Sequence, residues 1–257
     1  MPASDGCRLN PATKLYINIS ALSIALNATF IAYLIYSDRL FDIGHCWSSF
    51  VLLLLPVIEL LKHQYVRKAF QLDGTVKSSG TSASSSSTSS TSKSSSGKYQ
   101  PRKGANTPLK EPGGLLGILL LSMLFYGFIC LILGAPLDQF EETVSLAATL
   151  TTLTVLPIAL FIGYADTIRL FFSETFELRT PLANSHLTLL KNNCIGVILG
   201  AWGASVVAPL DWDRPWQVYP VPNVVGAIGG AFGMAVFTLL NTAYFVVCKS
   251  GAKKGIV

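Results

Sequence analysis

Charge is scarce in this chain. Asp, Glu, Lys and Arg together make up 13% of its 257 residues, where a soluble domain carries about a quarter. That excludes an ordinary solvated surface. Only three histidines are present, and the five cysteines Cys7, Cys46, Cys130, Cys194 and Cys248 include no CxxC pair and no zinc-like spacing. A metal centre or a disulfide framework is therefore not expected. No phosphate-binding GxxxxGK[ST] loop, no GxSxG elbow and no HExxH helix occurs, which removes the commonest local signatures of nucleotide and hydrolytic chemistry. The net charge of +5 would suggest nucleic acid in a soluble protein. Here the basic residues lie between apolar runs, where they set membrane orientation instead.

What the chain does have is long apolar runs. They are close to 20 residues each, enough to cross a hydrocarbon core of ~30 Å at ~1.5 Å per residue. Lipid offers the backbone no hydrogen bonds, so continuous runs of this kind imply helices. The expected fold is an all-α membrane protein with about six spans: 15–36, 43–61, 114–133, 143–163, 194–209 and 224–247. A kink is expected at Pro157 in the fourth. Between the second and third spans the composition shifts to Ser, Thr, Gly and Lys. Such a stretch buries too little apolar surface to offset its ordering entropy. The chain then divides into an N-terminal segment 1–14, a two-span front 15–61, a disordered linker 62–112, a four-span core 113–248 and a basic tail 249–257.

Orientation follows from the basic residues. With the N-terminus cytosolic, only Arg39 and Arg214 of the nineteen Lys and Arg fall on the opposite side, as the positive-inside rule requires. Both termini and the linker are thus expected in the cytosol. The short acidic loops, which carry Asp38, Asp42, Asp138, Glu141, Glu142, Asp211 and Asp213, face the lumen. None of these loops is long enough to hold a catalytic domain.

Two features stand out as candidate functional surfaces. The fifth and sixth spans carry Gly196, Gly200 and Ala204, and Gly226, Gly230 and Gly233. Small residues four apart let helix backbones approach closely. That serves either packing within the bundle or docking onto a partner's helices. The second feature is the loop between these spans, with Pro209, Asp211, Trp212, Asp213, Arg214, Pro215 and Trp216. Its prolines stiffen it, its aromatics suit the membrane interface, and Asp211 or Asp213 is placed to pair with Arg214. A stiff interfacial cap is favoured over a lumenal acid–base or metal site.

Smaller polar features remain. Glu59 is spaced to pair with Lys62 or His63. Ser20, Ser23 and Asn27 share one face of the first span and are expected to bond a neighbouring helix. His63 and His186 are expected to be solvated on the cytosolic side.

Several strings together resemble one family. Gly134-Ala135-Pro136, the run from Glu142-Thr143 to Leu156-Pro157, Gly200-Ala201-Trp202, and above all Pro209 through Pro222 resemble the PIG-F family of glycosylphosphatidylinositol (GPI) anchor biosynthesis. The likeness covers roughly 114–247, with a weaker match in the two-span front, and the Ser-rich linker looks like the fungal form. The resemblance implies an endoplasmic reticulum membrane protein with no cofactor of its own. It implies a non-catalytic, stabilising subunit of ethanolamine phosphate transferases, the enzymes that add phosphoethanolamine to GPI mannoses. The partner expected is therefore a transferase catalytic subunit, contacted through membrane helices, with membrane lipid around it. Two other readings are a membrane-embedded enzyme using Asp211, Asp213 and Arg214, and a lipid or donor transporter.

Overall fold

A computed structural model describes residues 11–37, 50–79, 112–172, 176, 178, 181–207, 210 and 214–254. It is built from helices: α1 Pro11–Tyr36, α2 Phe50–Ser79, α3 Pro112–Ile132, α4 Phe140–Ile162, α5 Tyr164–Phe172, α6 Pro181–Ala204 and α7 Val221–Lys254. Short 3₁₀ turns at Ser205–Val207 and Pro215–Gln217 join α6 to α7. No strand occurs among the described residues. The protein is an all-α membrane protein, and four of its helical segments are long and apolar enough to span a bilayer: Tyr16–Tyr36, Pro112–Ile132, Phe140–Ile162 and Val221–Phe245.

The six expected spans compare with four such segments among the described residues, where the second expected span, 43–61, is described only from Phe50. Helix α6 begins at Pro181 rather than near Cys194. Its first half carries Asn184, Ser185, His186, Lys191, Asn192 and Asn193, which dilutes its apolar character. Helix α2 does not stop at Leu61 but runs on to Ser79, through Lys62, His63, Arg67 and Lys68. The linker expected from residue 62 is thus helical up to Ser79. Residues 1–10, the linker part 80–111 and the last three residues lie outside the described set. Helix α7 extends to Lys254, so most of the basic tail continues the last helix.

Helix α4 is the axis of the bundle. Of its apolar window 72% is buried, against 11% for α3, so α3 lies at the periphery with Leu120, Leu124 and Phe128 exposed. The enclosed helix is rich in hydroxyls. Thr143, Thr149, Thr152 and Thr154 return their hydroxyl protons to carbonyls one turn back, on Gln139, Ser145, Ala148 and Leu150, at 2.6–3.1 Å. Back-bonding of this kind satisfies the hydroxyls inside the helix that bears them. It leaves their oxygens available to neighbours. Thr154 meets the Tyr126 hydroxyl of α3 at 2.9 Å, and Thr143 accepts a bond from Tyr219 at 3.2 Å.

Helix α4 runs without interruption through Pro157 and ends at Ile162. The helix ends at Gly163, whose φ of 89° belongs to the left-handed region that glycine enters without steric cost. Its carbonyl then receives both the backbone N–H and the hydroxyl of Thr167, which starts α5. Proline at 157 has no N–H to give, so the Leu153 carbonyl one turn back loses its helical partner. Asn193 of α6 supplies the replacement: its Nδ2 donates to the Leu153 oxygen at 3.3 Å. The Cys194 thiol approaches the next carbonyl, of Thr154, at 3.5 Å. Neighbouring helices commonly meet the groups freed by a membrane proline in this way.

Asn193→Leu is expected to lower the unfolding midpoint of the detergent-solubilised chain, by an amount equivalent to about 1 kcal/mol. In the background of Pro157→Ala, which restores the N–H, the same change should cost much less. Equal costs in both backgrounds, measured by thermal unfolding as a double-mutant cycle, would show that Asn193 does not serve the proline.

Candidate functional site

Helices α6 and α7 touch backbone to backbone. A Cβ added at Gly196 would lie 2.7 Å from the Gly230 carbonyl oxygen and 2.8 Å from Met234 Cβ. One at Gly200 would lie 2.9 Å from Gly230 Cα, and one at Gly230 would lie 2.8 Å from the Gly196 carbonyl carbon. Gly226 faces Gly200 and Ala204 in the same manner. These distances are shorter than real Cβ contacts, and the obstacles are main-chain atoms and the Cβ atoms fixed to them, which cannot rotate away. Gly196, Gly200, Ala204, Gly226 and Gly230 are therefore spent on an internal seam. Gly229 and Gly233 are not: a Cβ there would meet nothing within 4 Å, and both residues are exposed. They share an outward stripe of α7 with Val225 and Phe237.

In the loop after α6, the described residues are Leu210 and Arg214 onward. Pro209, Asp211, Trp212 and Asp213 lie outside them, and so does any pairing of those aspartates with Arg214. What the structure does place is Gln217, which sequence reasoning passed over. Its Oε1 accepts the Arg214 backbone N–H at 3.0 Å, and its Nε2 donates to the carbonyls of Val207, at 3.2 Å, and Leu210. One side chain thus fastens three points of the loop. The available signal was its place two residues after Pro215, at the end of a single turn. Trp216 is half-buried and Arg214 is exposed. Tyr219 ties the loop to the start of α4 through Thr143. Burial pushes the Tyr219 phenol above its ordinary pKa, and the bond to Thr143 partly opposes that shift.

The polar residues that sequence reasoning treated separately converge elsewhere. Glu59 and Lys62 of α2 form the expected pair at 2.8 Å, with side chains only 7% and 13% exposed. The Lys62 ammonium also donates to Asn27 Oδ1 of α1 at 3.0 Å. These groups line a cavity of about 50 Å³ with Ser23, His63, His186, Asn193 and Thr238. Pro157 and Phe161 of α4 form part of its wall.

His186 is not solvated, as expected from its place in the sequence, but buried at 5% exposure. Its ring packs edge-on against Phe161, with centroids 4.6 Å apart. Its Nδ1 has no hydrogen-bond partner. His63 is half-buried beside it. Nothing in the sequence linked α1, α2 and α6 here, because only the packing brings their polar faces together. Among the described residues, no group of three or more His, Cys, Asp or Glu converges to hold a metal ion.

Comparison with known proteins returns one family. A family model described as "GPI biosynthesis protein family Pig-F" matches residues 13–239. A Schizosaccharomyces pombe "PIGF/3-ketodihydrosphingosine reductase fusion protein" is 35% identical over 145 residues, 52% of this chain and 26% of that protein. A Debaryomyces hansenii "Glycosylphosphatidylinositol anchor biosynthesis protein 11" is 32% identical over 136 residues, 51% of this chain and 56% of that protein. The human "GPI ethanolamine phosphate transferase, stabilizing subunit" is 32% identical over 114 residues, 43% of this chain and 49% of that protein. The matched segments thus span from a quarter to just over half of these relatives. No solved structure matches.

The seam separates the glycines into two classes that mutation can tell apart. Gly200→Ala should destabilise the solubilised chain by about 1–3 kcal/mol, because overpacking here pushes backbones apart. Gly233→Ala should be neutral or slightly stabilising, since an exposed helical glycine is replaced by a better helix former. Thermal unfolding of both variants checks this, and equal losses would dissolve the distinction.

Proposed function

The chain belongs to the Pig-F family of GPI biosynthesis proteins, and from that membership we propose that it is a non-catalytic, stabilising subunit of an ethanolamine phosphate transferase acting on GPI-anchor mannoses. The observation that carries this reading is the family match over 13–239, together with the likeness to the human protein named as a stabilising subunit.

In this reading the protein resides in the endoplasmic reticulum membrane. It crosses that membrane six times, with α2 and α6 accompanying the four strongly apolar helices, and both termini are cytosolic. Residues 113–248 form the core. The stiff loop fastened by Gln217 and Tyr219 lies on the lumenal side, where it braces the enzyme's lumenal part.

The partner's helices pack on outward faces of the bundle. The α6–α7 seam is already filled by the chain itself, so the stripe of Val225, Gly229, Gly233 and Phe237 on α7 is the surface offered. The absence of a side chain at two of these positions leaves the α7 backbone approachable.

Affinity purification of the tagged chain in mild detergent tests the assignment. The expected result is co-recovery of a larger transferase, with phosphoethanolamine transfer in that eluate and none from the chain expressed alone. Transfer by the partner-free chain would overturn it and turn attention to Asp211, Asp213 and Arg214. Gly233→Leu is expected to reduce transferase recovery severalfold while leaving the level of the chain itself unchanged. Gly200→Leu should lower the level of the chain. Normal recovery with Gly233→Leu would move the contact to another face.

A further inference from the structure

We propose that the cavity between α1, α2, α4, α6 and α7 receives the polar head of a zwitterionic membrane lipid, with its ammonium toward Glu59 and its phosphate toward Lys62. The proposal goes beyond the transferase role and does not depend on it.

The size of the space comes first. At about 50 Å³ it has room for a few waters, each needing roughly 10–15 Å³ by the same measure and filling ~30 Å³ as liquid. On that scale the cavity matches a small polar head and is too small for an acyl chain.

Charge narrows the ligand further. The cavity is lined by one carboxylate and one ammonium, Glu59 and Lys62. A purely anionic head would meet Glu59, and a purely cationic one would meet Lys62. A head carrying both charges satisfies each end. The hydrogen-bonding capacity is present: an ammonium has three donors, of which Lys62 gives one to Glu59 and one to Asn27. Glu59 commits Oε1 to the pair, and a carboxylate has a second oxygen to offer.

A further polar group also points to an occupant. His186 is buried, lines the cavity, and leaves Nδ1 without a partner. A buried polar atom left unpaired is costly, a cost that a bound polar head or its water removes. Beside these polar groups the wall has an apolar part, with Ile19, Leu189, Leu190 and Met234. That part suits the methylene carbons between the phosphate and the ammonium more than a fully hydrated solute.

The experiment uses the full-length chain, purified in mild detergent without any transferase, and native mass spectrometry. Dioleoyl-phosphatidylethanolamine, dioleoyl-phosphatidylcholine and dioleoyl-phosphatidylglycerol are supplied in equal amounts. The expected result is retention of one zwitterionic lipid at least fivefold above the anionic one. The comparison between the first two tells whether a primary ammonium is needed. Ser23→Leu, which fills the cavity from α1 without touching the ion pair, and Glu59→Gln should each reduce that retention at least fivefold. Preference for the anionic lipid, or equal retention of all three, overturns the proposal. So does unchanged retention in a monodisperse Ser23→Leu protein, which would mark the adduct as surface lipid. If Ser23→Leu does not yield monodisperse protein, the head-group selectivity of the unmodified chain decides. Displacement by soluble glycerophosphocholine at matched concentration would overturn the lipid as the source. Transferase recovery is read separately, so failure here leaves the accessory-subunit reading intact, and the reverse holds too.

Discussion

Main-chain contact between α6 and α7 holds the rest of this molecule in place. Gly196 and Gly200 press against Gly226 and Gly230, and no side chain intervenes to cushion the helices. In a bilayer the lipid tails are as apolar as the helix surfaces, so association rests on close packing and on polar contacts rather than on a hydrophobic drive. A seam of this kind fixes both the spacing and the rotation of α6. With that rotation set, Asn193 faces the proline-interrupted stretch of α4 and His186 faces the cavity. Loosening the seam would withdraw the donor from Leu153 and open the ion pair's surroundings together.

Helix α4 shows how a polar helix can occupy a membrane protein's centre. Its threonines bond to their own helix, so burial leaves few hydroxyl protons unpaired. The same oxygens then accept or exchange bonds with α3 and with the loop before α7. Proline at 157 opens one place in the ladder, and α6 closes it. The centre is held by directional contacts, while the periphery, α3 above all, is left smooth and apolar for lipid.

The polar cavity lies inside the bundle, and the stripe of Val225, Gly229, Gly233 and Phe237 lies on its outside. Removing one member of the Glu59–Lys62 pair would leave an uncompensated buried charge, which typically costs about 3–5 kcal/mol. Such a pair is weak evidence for stability as a purpose, since apolar residues of similar volume often stabilise as well. Its presence beside a histidine with an unpaired nitrogen fits a site that deals with something polar. The glycines of α7 divide in the same fashion. One set is consumed in folding, and the other is left facing outward.

Much of this was legible in the chain itself. Apolar run length determined the helical membrane class and the four strongest spans, because the cost of an unpaired backbone in lipid permits little else. The strings around Gly134, Leu156-Pro157 and Pro209 to Pro222 sufficed to mark the family. The Glu59–Lys62 pair followed from helical spacing alone, since three residues on one helix are neighbours whatever surrounds them. Long-range choices were not legible. Small-xxx-small spacing is the same whether the facing helix belongs to this chain or to another, so only the packing separated Gly200 from Gly233. His186 looked solvated because its local sequence is polar, yet α4 and α2 cover it with Phe161 and Phe70. Asn193 carried no local sign of its role, because its partner lies on another helix, and Gln217 showed only its place after Pro215. Local spacing and hydrophobicity thus determined the elements and the family. Which polar groups meet, and which glycines are spent, was decided by the tertiary structure, because each depends on the rotation of one helix against another.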